Sequence, residues 1–174
     1  MFYITSERLE LIPLSHNQLQ LLAHNRAELD KALGLNPSEQ VYDEAIAAEI
    51  KDAAESYWLP QTALHPQDYS WFTNWDIVLK ERNVSIGGIG FSGLPDTEGK
   101  TMVGYGISQL HEGQGYATEA LQSLIHWGFT NPQLKAIVAT TPPDNIGSHR
   151  VLLKNNFEKT GLSDDMIHWQ LNRS

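Results

Sequence analysis

The sequence predicts a mixed α/β sheet in one domain over residues 1–174. Two patterns predict it. Between residues 75 and 108, three strand-like segments follow one another with only short turns between them, the pattern of an antiparallel meander. From about residue 115, helix and strand alternate, which calls for a parallel pair joined by a right-handed crossover.

The first segment, Arg8-Leu9-Glu10-Leu11-Ile12, alternates apolar and polar residues and ends at Pro13, so it reads as a strand. Ser15 is a candidate N-cap for a helix carrying Leu19, Leu21, Leu22 and, further on, Leu29. Asn36-Pro37-Ser38 breaks the chain. A second helix with Ala45, Ile46, Ala48, Glu49, Ile50 and Ala53 at helical spacing is expected to fade near Leu59-Pro60, followed by an irregular segment to Phe72. The meander strands are Trp75–Lys80, Ser85–Phe91 and Thr101–Ser108, with turns at Arg82-Asn83 and Pro95–Gly99. A helix from about Gly115 to Phe129 follows, with Ala117, Ala120, Leu121, Leu124 and Trp127 on one face. A strand at Ala136–Ala139, a short helix from Asn145 to Lys154 and two final strands complete the chain.

Composition narrows the function. Apolar residues make up 41% and charged residues 19%, an ordinary globular balance. With no cysteine, disulfides, thiolate metal sites and cysteine nucleophiles are excluded. The net charge of −9 argues against nucleic acid as a partner, because a phosphate backbone attracts a basic surface. The first residues lack the basic end and apolar run of a signal peptide, and no apolar stretch approaches the roughly 18 residues of a membrane span. A cytoplasmic protein, monomer or homodimer, is the expectation. The seven histidines show no H-x-H or H-E-x-x-H spacing, so no metal site is expected.

Gly113-Gln114-Gly115-Tyr116-Ala117-Thr118-Glu119-Ala120 sits between a strand and an amphipathic helix. Glycines there allow a sharp turn, and the first helical turn offers unpaired N–H groups and the positive end of the dipole to an anion. Taken alone, the octapeptide serves equally well as a turn that only starts a helix. It is no dinucleotide fingerprint, because Thr118 stands where the third small residue belongs, and no P-loop, because no Gly-Lys-Ser/Thr follows.

The segment resembles the acetyl-CoA signature of the GNAT superfamily of N-acetyltransferases, Gln/Arg-x-x-Gly-x-Gly/Ala, over Glu112-Gly113-Gln114-Gly115-Tyr116-Ala117. Val103–Ile107 looks like that family's central strand. Asn145–Phe157 resembles its Asn-x-x-Ser-x-x-Val/Leu-Leu-x-Lys-x-Gly-Phe segment, and Thr5–Leu14 is similar to the opening of the branch that acetylates ribosomal-protein N-termini. Glu112 and Asn156 depart from the pattern, standing where the family has Gln or Arg and Gly.

The resemblance implies a GNAT-like fold, a mostly antiparallel sheet splayed at its centre with flanking helices, and acetyl transfer from acetyl-CoA to a primary amine by direct attack in a ternary complex. The pantetheine arm would lie in the splay beside Ile107 and Gln109, with a backbone N–H near Ile107 holding the thioester carbonyl. The amides of Gln114, Gly115, Tyr116, Ala117 and Thr118 would wrap the pyrophosphate, and Asn145 would touch the CoA arm. Asn145 also suits a helix N-cap. Many members place a Tyr seven residues after that Asn to protonate the leaving sulfur. Leu152 stands there in this chain, whereas Ser148, one turn nearer the helix start, stands where the branch that acetylates protein N-termini carries a Ser for this purpose, so the resemblance implies Ser148 as the catalytic donor. The alternative of another class is a non-catalytic CoA-binding or regulatory module of the same fold.

Other residues stay open. His168 falls near the expected acceptor site, although a surface or packing role suits it better. Tyr57, Trp58, Tyr69, Trp71, Phe72 and Trp75 serve as core or, in part, as acceptor wall. Glu44, Glu49 and Glu81 are candidate bases that solvated faces explain better.

Overall fold

The computed structural model describes residues 1–174. Eight strands form the sheet: β1 (Ile4–Thr5), β2 (Leu9–Pro13), β3 (Trp75–Leu79), β4 (Val84–Phe91), β5 (Lys100–Ile107), β6 (Ala136–Thr141), β7 (Glu158–Ser163) and β8 (Met166–Asn172), in the order β1-β2-β3-β4-β5-β6-β8-β7. Six α-helices flank it: α1 (His16–His24), α2 (Arg26–Leu33), α3 (Glu44–Ala53), α4 (Leu59–Leu64), α5 (Tyr116–Gly128) and α6 (Ile146–Lys154). All strand pairs are antiparallel except β5–β6, which α5 joins by a crossover. The meander and the parallel pair both match the sequence reading.

The splay sits at that parallel pair. β5 and β6 are in register only from Lys100↔Ala136 to Met102↔Val138, whereas β4 follows β5 to Gly87↔Ile107. Beyond Met102 the second edge of β5 faces a gap.

The N-terminal half departs from the sequence reading in three places. The helix expected to run from Ser15 to Leu29 is two helices. Asn25 ends α1, and its side chain accepts a hydrogen bond from Glu28 N to start α2. Pro60 does not end the second helix. A π-helical turn over Ala54–Trp58 shifts the hydrogen-bond register, so Pro60 falls in the first turn of α4, where a missing N–H costs nothing. The expected irregular segment therefore shrinks to a few residues around a 3₁₀ turn at Tyr69–Trp71. The two-residue strand β1 was not expected, being too short to carry a pattern.

The main core lies between the sheet and α5. Trp71, only 7% exposed, stacks on Phe91 at 5.3 Å and meets Trp127 at 4.7 Å, and Trp127 meets Trp75 edge-on at 4.7 Å. Trp71, Phe72 and Trp75 are thus core residues, while Tyr57 and Trp58 line a cleft. Trp71→Ala should lower unfolding free energy by about 3–5 kcal/mol in urea titrations, with the acceptor KM unchanged. A raised KM at full stability would return Trp71 to the cleft wall.

Candidate active site

Hydrogen-bond parity along β5 sets the first feature. Ser108 N donates to Ile86 O at 2.8 Å, and Ser92 N donates to Met102 O at 2.9 Å. Even-numbered residues of β5 therefore pair with β4. The alternation of an antiparallel ladder turns the N–H groups of Tyr105 and Ile107 the other way, into the β5–β6 gap. Gln109 differs: its N–H donates to Val41 O at 2.8 Å, while Val41 N donates to Ser108 Oγ at 2.9 Å. Its amide is engaged within the protein, and Ile107 carries the open one.

The glycine turn enters α5 next to that gap. Gly113 and Gly115 have φ of 74° and 82°, values that side chains with a Cβ rarely adopt. Gly115 is the N-cap and has no side chain to cap with, and the first intrahelical bond is Glu119 N to Gly115 O at 3.1 Å. The N–H groups of Tyr116, Ala117 and Thr118 are left facing outward. The Tyr116 ring itself is buried, so only its backbone serves the turn. Gln114 and Glu112 are exposed.

Arg8, which the sequence reading left without a role, braces this turn. Its Nη1 donates to Gln114 O at 2.9 Å, its Nε to Glu119 Oε2 at 2.7 Å, and its guanidinium lies 4.5 Å from the centre of the Tyr116 ring. Glu119 also accepts from Arg8 N and Ser6 Oγ, each at 2.7 Å. Partial burial opposes its charge, but these donors prevail and hold its carboxyl below the ordinary range. The only sequence signal was a lone basic residue inside the Thr5–Leu14 opening.

Across the gap, Asn145 caps α6: its Oδ1 accepts from Ser148 N at 3.1 Å. The cap is therefore real, and only the NH₂ of Asn145 is left over for a ligand. Ser148 is half-buried on the first turn of α6. The Tyr105 hydroxyl, its pKa pushed up to about 12 by burial, donates to Ser148 O at 3.4 Å, which ties β5 to α6. That contact brings the first turn of α6 next to β5.

A cleft of about 360 Å³ opens on the other face of β4 and β5. Gly88, Gly90, Gly104 and Gly106 line it as a floor of bare backbone, and the α3 face bearing Ile46, Glu49 and Ile50 lines it opposite. Arg26, Gln40, Tyr42, Asn74 and Asp76 line it as well. Arg26 donates to both oxygens of Asp76 at 2.9 Å and to Asp30 at 2.8 Å. Burial works against the guanidinium's charge, yet Asp76 and Asp30 outweigh it and keep the pKa above its usual value. Of the three glutamates considered from sequence, Glu49 alone lines the cleft. His168 lies elsewhere, on β8, with its Nε2 at 2.6 Å from Ser163 Oγ of β7.

A model of the acetyltransferase (GNAT) domain matches residues 8–158. The chain belongs to the GNAT family. Its curated relatives include the uncharacterized N-acetyltransferase YjdG of Bacillus subtilis (strain 168), 36% identical over 98 residues, which is 56% of this chain and 58% of that protein. The ribosomal-protein-serine acetyltransferase of Escherichia coli (strain K12) is 28% identical over 156 residues, 87% of this chain and 80% of that protein. The matched stretches of the first three relatives span 58%, 50% and 50% of their length. The GNAT fold is also that of the solved structure of ribosomal-protein-S5-alanine acetyltransferase from Vibrio fischeri, with a TM-score of 0.67 at 20% identity, covering 99% of this chain and 97% of that one. RimL, a ribosomal L7/L12 alpha-N-protein acetyltransferase solved in complex with coenzyme A, has a TM-score of 0.69 at 18% identity, covering 98% of each chain.

Two outcomes test the glycine turn. Gly115→Val places a branched side chain at φ 82°, with its Cβ about where Arg8 Nη2 is 3.4 Å away. Calorimetry should show acetyl-CoA affinity reduced at least about tenfold, while the backbone strain costs roughly 1–3 kcal/mol of stability. Unchanged affinity would make the turn merely structural. Glu119 contributes stability that is fully present above the ordinary carboxylate pKa of about 4.3 and is lost as pH falls toward its depressed folded value. Stability should therefore fall with pH in that acid window, and Glu119→Gln should flatten the fall. Parallel acid profiles of the two proteins would refute the assignment.

Proposed function

We propose that this GNAT protein transfers the acetyl group of acetyl-CoA to a primary amine, a protein N-terminus or a small amine, by direct attack in a ternary complex. The reading takes residues 1–174 as one domain and the cytoplasm as its location; no helix is long and apolar enough to cross a membrane. The observation that carries it is the open Ile107 N–H in the β5–β6 gap, between a glycine turn with unpaired amides and a separate cleft.

The residues fit the cosubstrate. The first-turn amides of α5 suit a pyrophosphate, through hydrogen bonds and the helix dipole. Gly113 leaves open space where a Cβ would stand, so bare backbone can approach the phosphates. Gln114 to Thr118 supply those amides, and Asn145 offers its NH₂ to the arm. Ile107 N–H would hold the thioester oxygen, where negative charge grows as the amine attacks. Gln109 has its N–H engaged with Val41, so it would contribute only by its carbonyl or side chain.

The amine approaches from the glycine-floored cleft, where Glu49 and Asp76 outnumber Arg26 and favour a cationic acceptor. Its nitrogen forms a bond to the acetyl carbon, the carbon–sulfur bond breaks, and the nitrogen gives up a proton to water. The sulfur departs as thiolate, and the Ser148 hydroxyl would donate to it with help from the α6 dipole. The E. coli relative acts, by its name, on a ribosomal protein, which supports a peptide N-terminus among the acceptors.

The chain contains no cysteine, so a thiol reagent reads only released CoA. Incubation with acetyl-CoA and a panel of peptides, polyamines, aminoglycosides and amino acids should release thiol with at least one class. Tight binding without release would favour a non-catalytic CoA-binding module. Ser148→Ala should lower kcat at least about tenfold with little change in the acetyl-CoA KM, as expected of a contact made only in the transition state. A raised KM at full kcat would make Ser148 a binding contact.

A further inference from the structure

We infer that Asn74 positions the acceptor amine for attack, an inference that rests on the transferase reading. Asn74 immediately precedes β3, lines the cleft and is only 9% exposed. Its backbone is fixed: Leu14 N donates to Asn74 O at 3.1 Å. Its carboxamide makes no hydrogen bond to any protein group, and its polar atoms are not sealed off but reach the cleft that the residue lines. The other polar side chains on this side of the cleft are matched among themselves. Arg26 holds Asp76, Ser85 Oγ donates to Asp76 at 2.9 Å, Gln40 donates to Ser85 at 2.6 Å, and Tyr42 donates to Gln40 at 3.1 Å. Asn74 is the unmatched member of the wall.

Its position relates it to the reaction. The carboxamide lies directly on Gly88, where a Cβ would collide with its Oδ1 and approach its Cγ and Nδ2 to 3.0 Å. Gly88 pairs with Gly106, and a Cβ on Gly106 would meet nothing within 4 Å. Open space thus begins about one strand spacing, ~4.8 Å, from the carboxamide, on the residue next to Ile107. A nitrogen seated there has the carboxamide on one side and the β5–β6 gap on the other.

The chemistry suits a carboxamide. An attacking amine must be neutral, with its lone pair directed at the acetyl carbon and its N–H bonds directed elsewhere. The Asn74 oxygen can accept one of those N–H bonds and, carrying no net charge, favours the protonated ammonium less than a carboxylate would. A carboxylate at the same place would stabilise the ammonium and remove the nucleophile at neutral pH.

Two variants test this against the wild type. Asn74→Leu removes no hydrogen bond to the protein, so Tm should hold and acetyl-CoA affinity should be unchanged, while acceptor kcat/KM falls about tenfold or more. In Asn74→Asp the acceptor KM should hold or fall, and the pH dependence of kcat should move to higher pH. A purely structural Asn74 would move neither kcat/KM nor the pH profile, and a lower Tm with unaltered kinetics in Asn74→Leu overturns the inference. If wild type releases thiol and both variants match it, only the Asn74 role falls. If wild type binds acetyl-CoA and acetylates no amine, the transferase reading falls and takes this inference with it.

Discussion

The short parallel pairing between β5 and β6 is the constraint on which the site depends. Only three residue pairs are in register, from Lys100 to Met102 on β5. Were the pairing continued to Ile107, the outward N–H groups of Tyr105 and Ile107 would be consumed by β6 and no donor would face the gap. A ladder left open inside a sheet is costly, because backbone polar groups seek partners. Such an opening is sustained by the rest of the fold: β4 holds the other edge of β5 from Val103 to Ile107, and Tyr105 tethers it to Ser148 on α6.

Two charged clusters hold the early chain onto this centre from opposite sides. Arg8 and Glu119 join the strand-entry segment to the first turn of α5, next to the glycine turn. Arg26, Asp30 and Asp76 join α2 to β3 at the cleft. The second cluster is the more deeply buried, with Asp76 almost entirely enclosed. A buried pair of this kind adds little net stability, yet losing one partner strands the other charge and costs about 3–5 kcal/mol. Its consequence is therefore geometric: α2 and β3 are held to one arrangement, and with them the wall that includes Asn74.

Most of the fold was legible in the sequence because its signals are local. The meander strands carry alternation and turn residues, and α5 has an apolar stripe that buries Ala120, Leu121 and Leu124. What escaped was structure whose cause lies in a few hydrogen bonds. Asn25 splits one apolar pattern into two helices by capping the second, and the π turn at Ala54–Trp58 absorbs Pro60, a residue that ordinarily ends a helix. Neither event changes hydrophobic spacing, so neither leaves a periodic signal.

By itself the sequence determined the family, the glycine turn at the start of α5, and the placement of Asn145 at the N-cap and Ser148 on the first turn of α6, since each is a short motif with its own backbone geometry. Tertiary structure alone decided which amide on β5 is free, because parity follows from the register with β4 and from where β6 departs. It also decided that Glu49 lines the cleft while Glu44 and Glu81 do not, and that Arg8 rather than Glu112 meets the glycine turn. It singled out Asn74 for the same reason. A side chain's lack of a partner is a property of everything packed around it, and no residue's own neighbours in sequence record that.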